Sequence, residues 1–250
     1  MSGHSKWSTI KHQKGAADQA RAKVFARLGR QIEVAARSGG GDLEANATLR
    51  TMVQKAREAS MPKDNIERAI KRGTGEIEGV SYESINYEGY GPHGIAIYVE
   101  TLSDNRNRTG SEIRSTFTKG GGSLAEPGAV AWQFDRLGVI EVPKSSTTED
   151  ELMESALELG AQDIKDGGEN FEVITPATEL FAIKNALVEA GVQVGASDLT
   201  MLPNTTVEIT DPDHAKSVVK IIESLDAHDD VQNVFANCEI SNELMESLAQ

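Results

Sequence analysis

The order of structural elements between residues 138 and 203 restricts the possible folds of this chain more than any other feature of its sequence. GVIEV predicts a strand and EDELMESALEL a helix. AQDIKD and NFEVITP predict a hairpin around Gly167 and Gly168, and TELFAIKNALVEAG and VQVGASDLTML predict a second helix and a last strand. Strand–helix–strand–strand–helix–strand is the order of the ferredoxin-like, or split βαβ, fold. The sequence therefore predicts one such domain at 138–203.

The segments on either side of this unit predict the two halves of a second domain of the same kind. Each half has the pattern of a strand, a helix and a strand, and the first also has a turn at Gly-Pro-His-Gly. The flanking strands are expected at 94–101, 129–134, 205–210 and 231–236. Joined, the halves repeat the ferredoxin-like order. We therefore predict a discontinuous α/β domain at 82–137 and 204–250, with residues 138–203 inserted into it.

The first 75 residues predict a helical bundle instead. Apolar residues recur at helical spacing in residues 16–37, glycines at 39–41 end that helix, and Pro62 and Gly73 bound a third helix. A polar linker, TGEIEGVS, follows. The predicted fold class is α+β, with an N-terminal three-helix bundle at 1–75 plus two ferredoxin-like α/β domains, one inserted in the other.

Charge is divided unevenly between these regions. Residues 1–75 carry fifteen Lys or Arg against seven Asp or Glu, whereas 76–250 carry ten against thirty-two. The resulting +8 and −22 give the net charge of −14. An acidic protein repels polyanions, so a basic segment at one end predicts a dedicated surface for nucleic acid. The alternative is that the basic bundle docks on the acidic body.

Three groups of residues are candidates for that surface. In the first helix, Lys23, Arg27, Arg30 and Arg37 fall opposite the apolar stripe and are expected to face water, where a row of cations can follow phosphates. The opening MSGHSKWSTIKHQKG places Trp7 among cations, where it either stacks on a base or anchors the N-terminal arm. The stretch DNRNRT and the helix after it carry four more cations, which could instead pair with local acids such as Glu100, Asp104 and Glu112.

The full set of predicted nucleic-acid-binding residues is Lys6, Trp7, Lys11, His12, Lys14, Arg21, Lys23, Arg27, Arg30, Arg37, Arg106, Arg108, Arg114 and Lys119. Acidic stretches such as TTEDELMES and DAHDD are expected to be solvated helix ends and loops.

Motifs for catalysis do not occur in the sequence. It contains no P-loop, nucleophile elbow, HExxH motif or EF-hand loop, and its five histidines are scattered. Cys238 is the only cysteine, which fits a reducing cytoplasm, and no apolar run is long enough to span a bilayer. We expect a cytoplasmic, monomeric protein with no catalytic residues, cofactor, metal or membrane contact. A hydrolase would need a cleft with perturbed carboxylates.

Several stretches resemble the YebC family of transcriptional regulators, which includes the mitochondrial translational activator of cytochrome oxidase. They are SGHSKWSTIKHQK with DQARAKVFARLGRQI, then MPKDNIERAIKRGTG, YEGYGPHGIAIYVE and DNRNRT with the glycines that follow it. The resemblance covers nearly the whole chain. AEPGAVAWQF at 125–134 departs from it, because the family pattern has a glycine after Leu124 and a serine in place of Ala129.

The resemblance implies three domains, no catalysis and nucleic-acid binding in the cytoplasm. Family members have been linked to promoter DNA and to the ribosome, including the relief of stalling at proline-rich stretches. We therefore predict a non-enzymatic nucleic-acid-binding regulator of gene expression, specifically a DNA-binding transcriptional regulator. The alternatives are a translation factor that binds ribosomal RNA and a protein-binding adaptor.

Overall fold

The computed structural model describes residues 17–241 and 244–245 of the chain. Its first part is a bundle of three helices. They are α1 (Ala17–Gly39), α2 (Ala47–Glu58) and α3 (Lys63–Thr74). Apolar side chains from all three fill the core: Leu28, Ile32, Leu49, Val53 and Ile66. Helices α1 and α3 cross closely at Gly73, where a Cβ atom would lie 2.4 Å from the carbonyl oxygen of Glu33. Only glycine allows that approach.

A four-stranded sheet follows, built from both flanks of the inserted unit. Its N-terminal half contains β1 (Glu83–Tyr90), β2 (Ala96–Ser103), α4 (Arg106–Lys119) and β3 (Ser123–Leu124). The other half contains β8 (Val207–Ile209), α7 (Pro212–Asp226), β9 (Val231–Ala236) and β10 (Cys238–Ile240). The strand order is β3-β1-β2-β9, and β8 pairs with β10 in a separate parallel pair. Helices α4 and α7 pack on the same face of the larger sheet, over Ile97 and Val99.

The inserted unit forms its own sheet. It consists of β4 (Phe134–Pro143), α5 (Glu149–Glu158), β5 (Asp163–Asp166), β6 (Asn170–Pro176), α6 (Leu180–Glu189) and β7 (Ser197–Pro203). The strand order β5-β6-β4-β7, with every pair antiparallel, is that of a ferredoxin-like fold. Helices α5 and α6 cover the face that carries Ile140, Val142 and Val173.

The predicted α+β class is confirmed, because a helical bundle precedes two α/β regions and the chain returns to the first sheet, with β9, after completing the second. The first sheet does not have the predicted ferredoxin-like order, because β1 takes the place beside β2 and β8 pairs with β10 instead. The limits given above for the three domains stay predictions. The structure has seven helices among the residues it describes.

One predicted strand is wrong. Residues 129–134 do not form a strand; a 3₁₀ turn covers Ala131–Gln133, and β4 begins at Phe134. The cause is Glu88, whose buried carboxylate accepts hydrogen bonds from the N–H groups of Gly128, Val130 and Ala131 at 2.7, 2.7 and 2.8 Å. Those N–H groups bond to a side chain rather than to a neighbouring strand. Burial acts to raise the pKa of Glu88, but the three N–H donors outweigh it and hold the pKa below its ordinary value.

Candidate nucleic-acid interface

The structure describes nine of the fourteen predicted binding residues. Lys6, Trp7, Lys11, His12 and Lys14 lie outside the described residues. The other nine lie on α1 and α4 and separate into cations bound by the acidic body, one cation bound within the bundle, and cations that remain exposed.

Two cations of α1 bind the C-terminal end of α7. We call residues 226–230 the acidic turn. Arg27 Nη2 donates to the carbonyl oxygen of Asp226 at 2.7 Å and to its Oδ1 at 2.8 Å. Lys23 donates to the same carbonyl and lies 3.4 Å from Oδ2. Because helix carbonyls at a C-terminus carry partial negative charge, this end of α7 attracts cations even apart from the Asp226 carboxylate.

A second junction centres on Asp230, which is 2% exposed. Its Oδ1 accepts from Arg30 Nη1 at 3.1 Å, and its Oδ2 accepts from Arg108 Nη2 and Thr109 Oγ1, both at 2.6 Å. Burial acts to raise the pKa of Asp230. The hydrogen bonds from Thr109 and Arg108, with the charges of Arg108 and Arg30, outweigh burial and lower it overall. Asp230 thus connects α1, α4 and the segment that leads into β9.

His228 holds the acidic turn in shape. Its Nδ1 accepts the backbone N–H of Asp230 at 3.1 Å, so the proton of the neutral ring lies on Nε2. Nε2 is 2.8 Å from Glu112 Oε2 on α4. The turn is therefore tied to α4 by both the imidazole and the Asp230 carboxylate.

These contacts correct two expectations. The prediction that the cations of α1 face water is wrong for Lys23, Arg27 and Arg30, whose side chains are 26%, 14% and 20% exposed. The prediction that DAHDD is a solvated segment is wrong for Asp226 and Asp230, whose side chains are 13% and 3% exposed. Helical periodicity correctly separated the cations from the apolar stripe, but it could not show that a distant acidic segment packs against them.

Arg37 contacts the bundle and the linker after it rather than the acidic turn. The buried Glu33 carboxylate accepts from Arg72 Nε at 2.9 Å and from Arg37 Nη2 at 3.4 Å. Arg37 Nη2 also donates to the carbonyl oxygen of Val80 at 3.0 Å. These contacts connect α1 with α3 and with the linker before β1, so this side chain has a structural role.

Four predicted residues are exposed and contact no buried acid among the described residues. Arg21, Arg114 and Lys119 form no ion pair with any residue in the described part of the chain. The Arg106 side chain is 69% exposed and lies 3.4 Å from the carboxylate of Glu83, which is 59% exposed. Exposed pairs of this kind contribute little energy and separate easily. All four side chains are therefore available to a partner.

Sequence reasoning missed further exposed cations. Lys216 and Lys220 on α7 are exposed and, like Arg114 and Lys119, form no ion pair with a described residue. Because α4 and α7 share one face of the sheet, we group these four as the helical cation face: Arg114, Lys119, Lys216 and Lys220. The i, i+4 spacing of the two lysines was the available signal, but acids flank them in sequence and hid it.

The bundle also carries exposed cations outside the predicted set. Arg57 on α2 and Arg68 and Lys71 on α3 are exposed and unpaired with respect to the described residues. They belong to the segment of net positive charge, but the predicted set includes no cation of α2 or α3.

Three findings on the described residues concern metal binding, the cysteine and membrane-spanning helices. No group of three or more His, Cys, Asp or Glu side chains among them is arranged to hold a metal ion. Burial raises the pKa of Cys238 to about 11, so its thiol is a poor nucleophile at neutral pH. Within the same residues, no helix combines the length and apolar character needed to cross a membrane.

Comparison with known proteins gives consistent matches over the chain. The TACO1/YebC protein N-terminal domain matches residues 5–76, and the TACO1/YebC second and third domain matches residues 82–238. A probable transcriptional regulatory protein of Desulfotalea psychrophila is 52% identical over 250 residues, 100% of both chains. Another, of Desulfatibacillum aliphaticivorans, is 54% identical over 243 residues, 97% of this chain and 98% of that one. The crystal structure of a conserved hypothetical protein from Aquifex aeolicus has a TM-score of 0.79 and 46% identity, covering 89% of this chain and 91% of that one.

Proposed function

The chain belongs to the TACO1/YebC family, and we propose that it is a non-enzymatic cytoplasmic regulator of gene expression that binds DNA. The names of its relatives support a role in transcriptional regulation. The observation that carries the proposal is the helical cation face. On a body whose residues 76–250 have a net charge of −22, four of the ten cations lie exposed and without ion-pair partners among the described residues, on two helices that share one face of a sheet.

Such a face is suited to a phosphate backbone. Exposed cations on rigid helices can each replace a counterion on nucleic acid without first breaking a protein ion pair. Contacts of this type position a protein on the duplex but do not read its sequence. The exposed cations of the bundle, Arg57, Arg68 and Lys71, would extend the contact. Lys23, Arg27 and Arg30 would instead keep the bundle in place on the body.

Crosslinking in cells, followed by sequencing of the recovered DNA and RNA, tests the proposal. The variant Arg114→Gln/Lys119→Gln is compared with Lys144→Gln/Lys184→Gln, which removes the same charge from the inserted unit. We expect enrichment of promoter DNA with the wild-type protein and with the control, and its loss with the first variant.

Three other outcomes would contradict parts of the proposal. Reads concentrated at one place in ribosomal RNA would make the protein a translation factor. Promoter enrichment that both variants retain would move the interface elsewhere on the chain. Recovery of neither nucleic acid would favour the adaptor, in which the cations meet an acidic protein.

A further inference from the structure

A cleft of about 270 Å³ lies where three parts of the molecule meet. The inserted sheet contributes the face that α5 and α6 leave uncovered, α1 and α2 contribute Gln31 and Lys55, and β9 contributes Asn233 and Phe235. The cleft is separate from both the acidic turn and the helical cation face. Its lining includes no histidine or cysteine.

The unusual group in this cleft is Glu172. The residue is 1% exposed, and neither of its carboxylate oxygens has a hydrogen-bond partner among the described residues. Lys165 is its cross-strand neighbour on β5 but forms no ion pair with it. A buried carboxylate without a partner is strongly unfavourable, so this site has an unmet requirement for a hydrogen-bond donor or a positive charge.

The surroundings of Glu172 increase that requirement. Glu141 lies directly opposite it in the β4–β6 register and also lines the cleft. Burial raises the pKa of Glu141, and the nearby carboxylates of Glu172 and Asp198 raise it further. The hydroxyl of Thr200, also in the lining, is buried without a partner. Lys55 forms an ion pair with Asp198, and Glu141 accepts one long hydrogen bond, at 3.4 Å, from Asn170 Nδ2. Neither glutamate is therefore paired with a cation of the described residues.

The form of the cleft favours an organic cation over a metal ion. The carboxylates do not converge as metal ligands, since no group of three such side chains in the described chain is arranged to hold one. Apolar side chains of Val139, Leu202 and Phe235 line the same space. An alkylammonium ion fits both features, because its ammonium group donates three hydrogen bonds and its methylenes pack on apolar walls.

We propose that this cleft binds a small aliphatic polyamine, with one ammonium group held between Glu172 and Glu141 beside Thr200 and the alkyl chain along Val139 and Leu202. The ligand touches the inserted sheet and, through Gln31 and Asn233, the bundle and the first sheet as well. Occupancy therefore stabilises the arrangement of all three.

Isothermal titration of the full chain with putrescine and spermidine, at physiological ionic strength and without nucleic acid, tests this site. Glu172→Gln is compared with Glu158→Gln, which removes the same charge from an exposed position on α5. We expect one amine bound per chain, weakened at least about tenfold by Glu172→Gln and unchanged by Glu158→Gln, because a charge-assisted contact is lost only in the first. Glu141→Gln, measured in parallel, should weaken binding too.

Several results would overturn the proposal. Equal weakening by Glu172→Gln and Glu158→Gln would mean that amines bind the acidic surface without a site. Binding of magnesium chloride that depends on Glu172, without amine binding, would make this a metal site. No binding by the wild-type chain would mean that the fold tolerates the buried Glu172 without a bound cation. If Glu172→Gln does not fold, unchanged affinity in Glu141→Gln would equally refute the site.

Discussion

Cations on α1 and cations on α4 and α7 have the same chemistry but different surroundings. On α1, Lys23 and Arg27 contact an acidic segment that packs against the helix from the far end of the chain. On the helical cation face, the side chains stay exposed and no described acid pairs with them. A row of cations on a helix therefore indicates a surface for a partner only when the rest of the fold leaves it exposed.

The two groups of cations should also differ in how much their removal lowers the free energy of unfolding. A partly buried ion pair gains little net energy when formed, because desolvation offsets attraction, but removing one partner leaves the other as an uncompensated charge. Removing an exposed cation leaves no buried charge without a partner, so it changes the free energy of unfolding little. Stability measurements therefore separate structural cations from available ones without any knowledge of the ligand.

The largest effect is expected at Asp230. We predict that Asp230→Ala lowers the free energy of unfolding by about 3–5 kcal/mol in urea titrations, because Arg30, Arg108 and Thr109 lose their shared acceptor. The neighbouring Asp229→Ala is the control. Its exposed side chain makes no ion pair with a described residue, so it should stay within about 0.5 kcal/mol of the wild type. Equal effects of the two changes would remove Asp230 from the centre of the docking contact.

The next largest effect on stability is expected when one cation of α1 is replaced, and one cation of the helical cation face serves as its comparison. Arg27→Ala should reduce the free energy of unfolding by about 1.5–3 kcal/mol, because it breaks charge-assisted hydrogen bonds to a 13% exposed Asp226 side chain. Arg114→Ala, at an exposed position on α4, should change it by no more than about 0.5 kcal/mol. If Arg114→Ala proved the more damaging of the two, the assignment of the groups would be reversed.

The stability that Asp230 of the acidic turn contributes should also depend on pH. The pKa of Asp230 in the folded protein lies below its ordinary value of 3.8, so its stabilising contribution is complete above pH 3.8 and is lost as the pH falls through the folded pKa. Unfolding free energies of the wild type and Asp230→Asn should differ most near neutral pH and converge below about pH 3.8. A difference that stays constant down to pH 2 would contradict the predicted direction of the pKa shift.

The smallest effect, of opposite sign, is expected at Glu141. Its folded pKa is raised above the ordinary 4.5, so the folded state is favoured at low pH, and this advantage is lost as the pH rises through the folded pKa. Glu141→Gln should therefore stabilise the ligand-free protein at neutral pH by up to about 1 kcal/mol after allowance for solvent screening. Thermal unfolding at pH 7 and pH 4 measures the gain, which should vanish at the lower pH. Destabilisation at pH 7 would show that the hydrogen bond from Asn170 Nδ2 to Glu141 Oε2, at 3.4 Å, outweighs burial and repulsion.

Structural features set by neighbouring residues could be predicted from the sequence, whereas features set by residues far away in the chain could not. Every strand and helix of the inserted unit was predicted, though not its ends, because each element has its own periodicity and nearby turn residues. The strand expected at 129–134 was wrong because Glu88, some forty positions earlier, binds the backbone of that segment. The pairing of Arg27 with Asp226 spans 199 positions, and no pattern within α1 contains it.

The candidate interface was predictable in its residue type but not in its position. Of the predicted cations that the structure describes, Arg21, Arg106, Arg114 and Lys119 remain open to a partner. Lys216 and Lys220 joined them only when the fold placed α7 beside α4. The unsatisfied Glu172 could not be recognised from sequence either, because the residues that line its cleft come from three parts of the molecule that are far apart in the chain.

The salt dependence of DNA affinity tests the central contrast most directly. The slope of log K against log salt is measured for the wild type, for Arg114→Gln/Lys119→Gln and for Lys23→Gln/Arg27→Gln, each shown to be folded by circular dichroism. Because each phosphate contact contributes about 0.9 to the slope, the first variant should lose about 2 and the second should keep the wild-type slope. A slope that falls with Lys23→Gln/Arg27→Gln and not with Arg114→Gln/Lys119→Gln would mean that the cations of α1, and not those of α4, contact the phosphates.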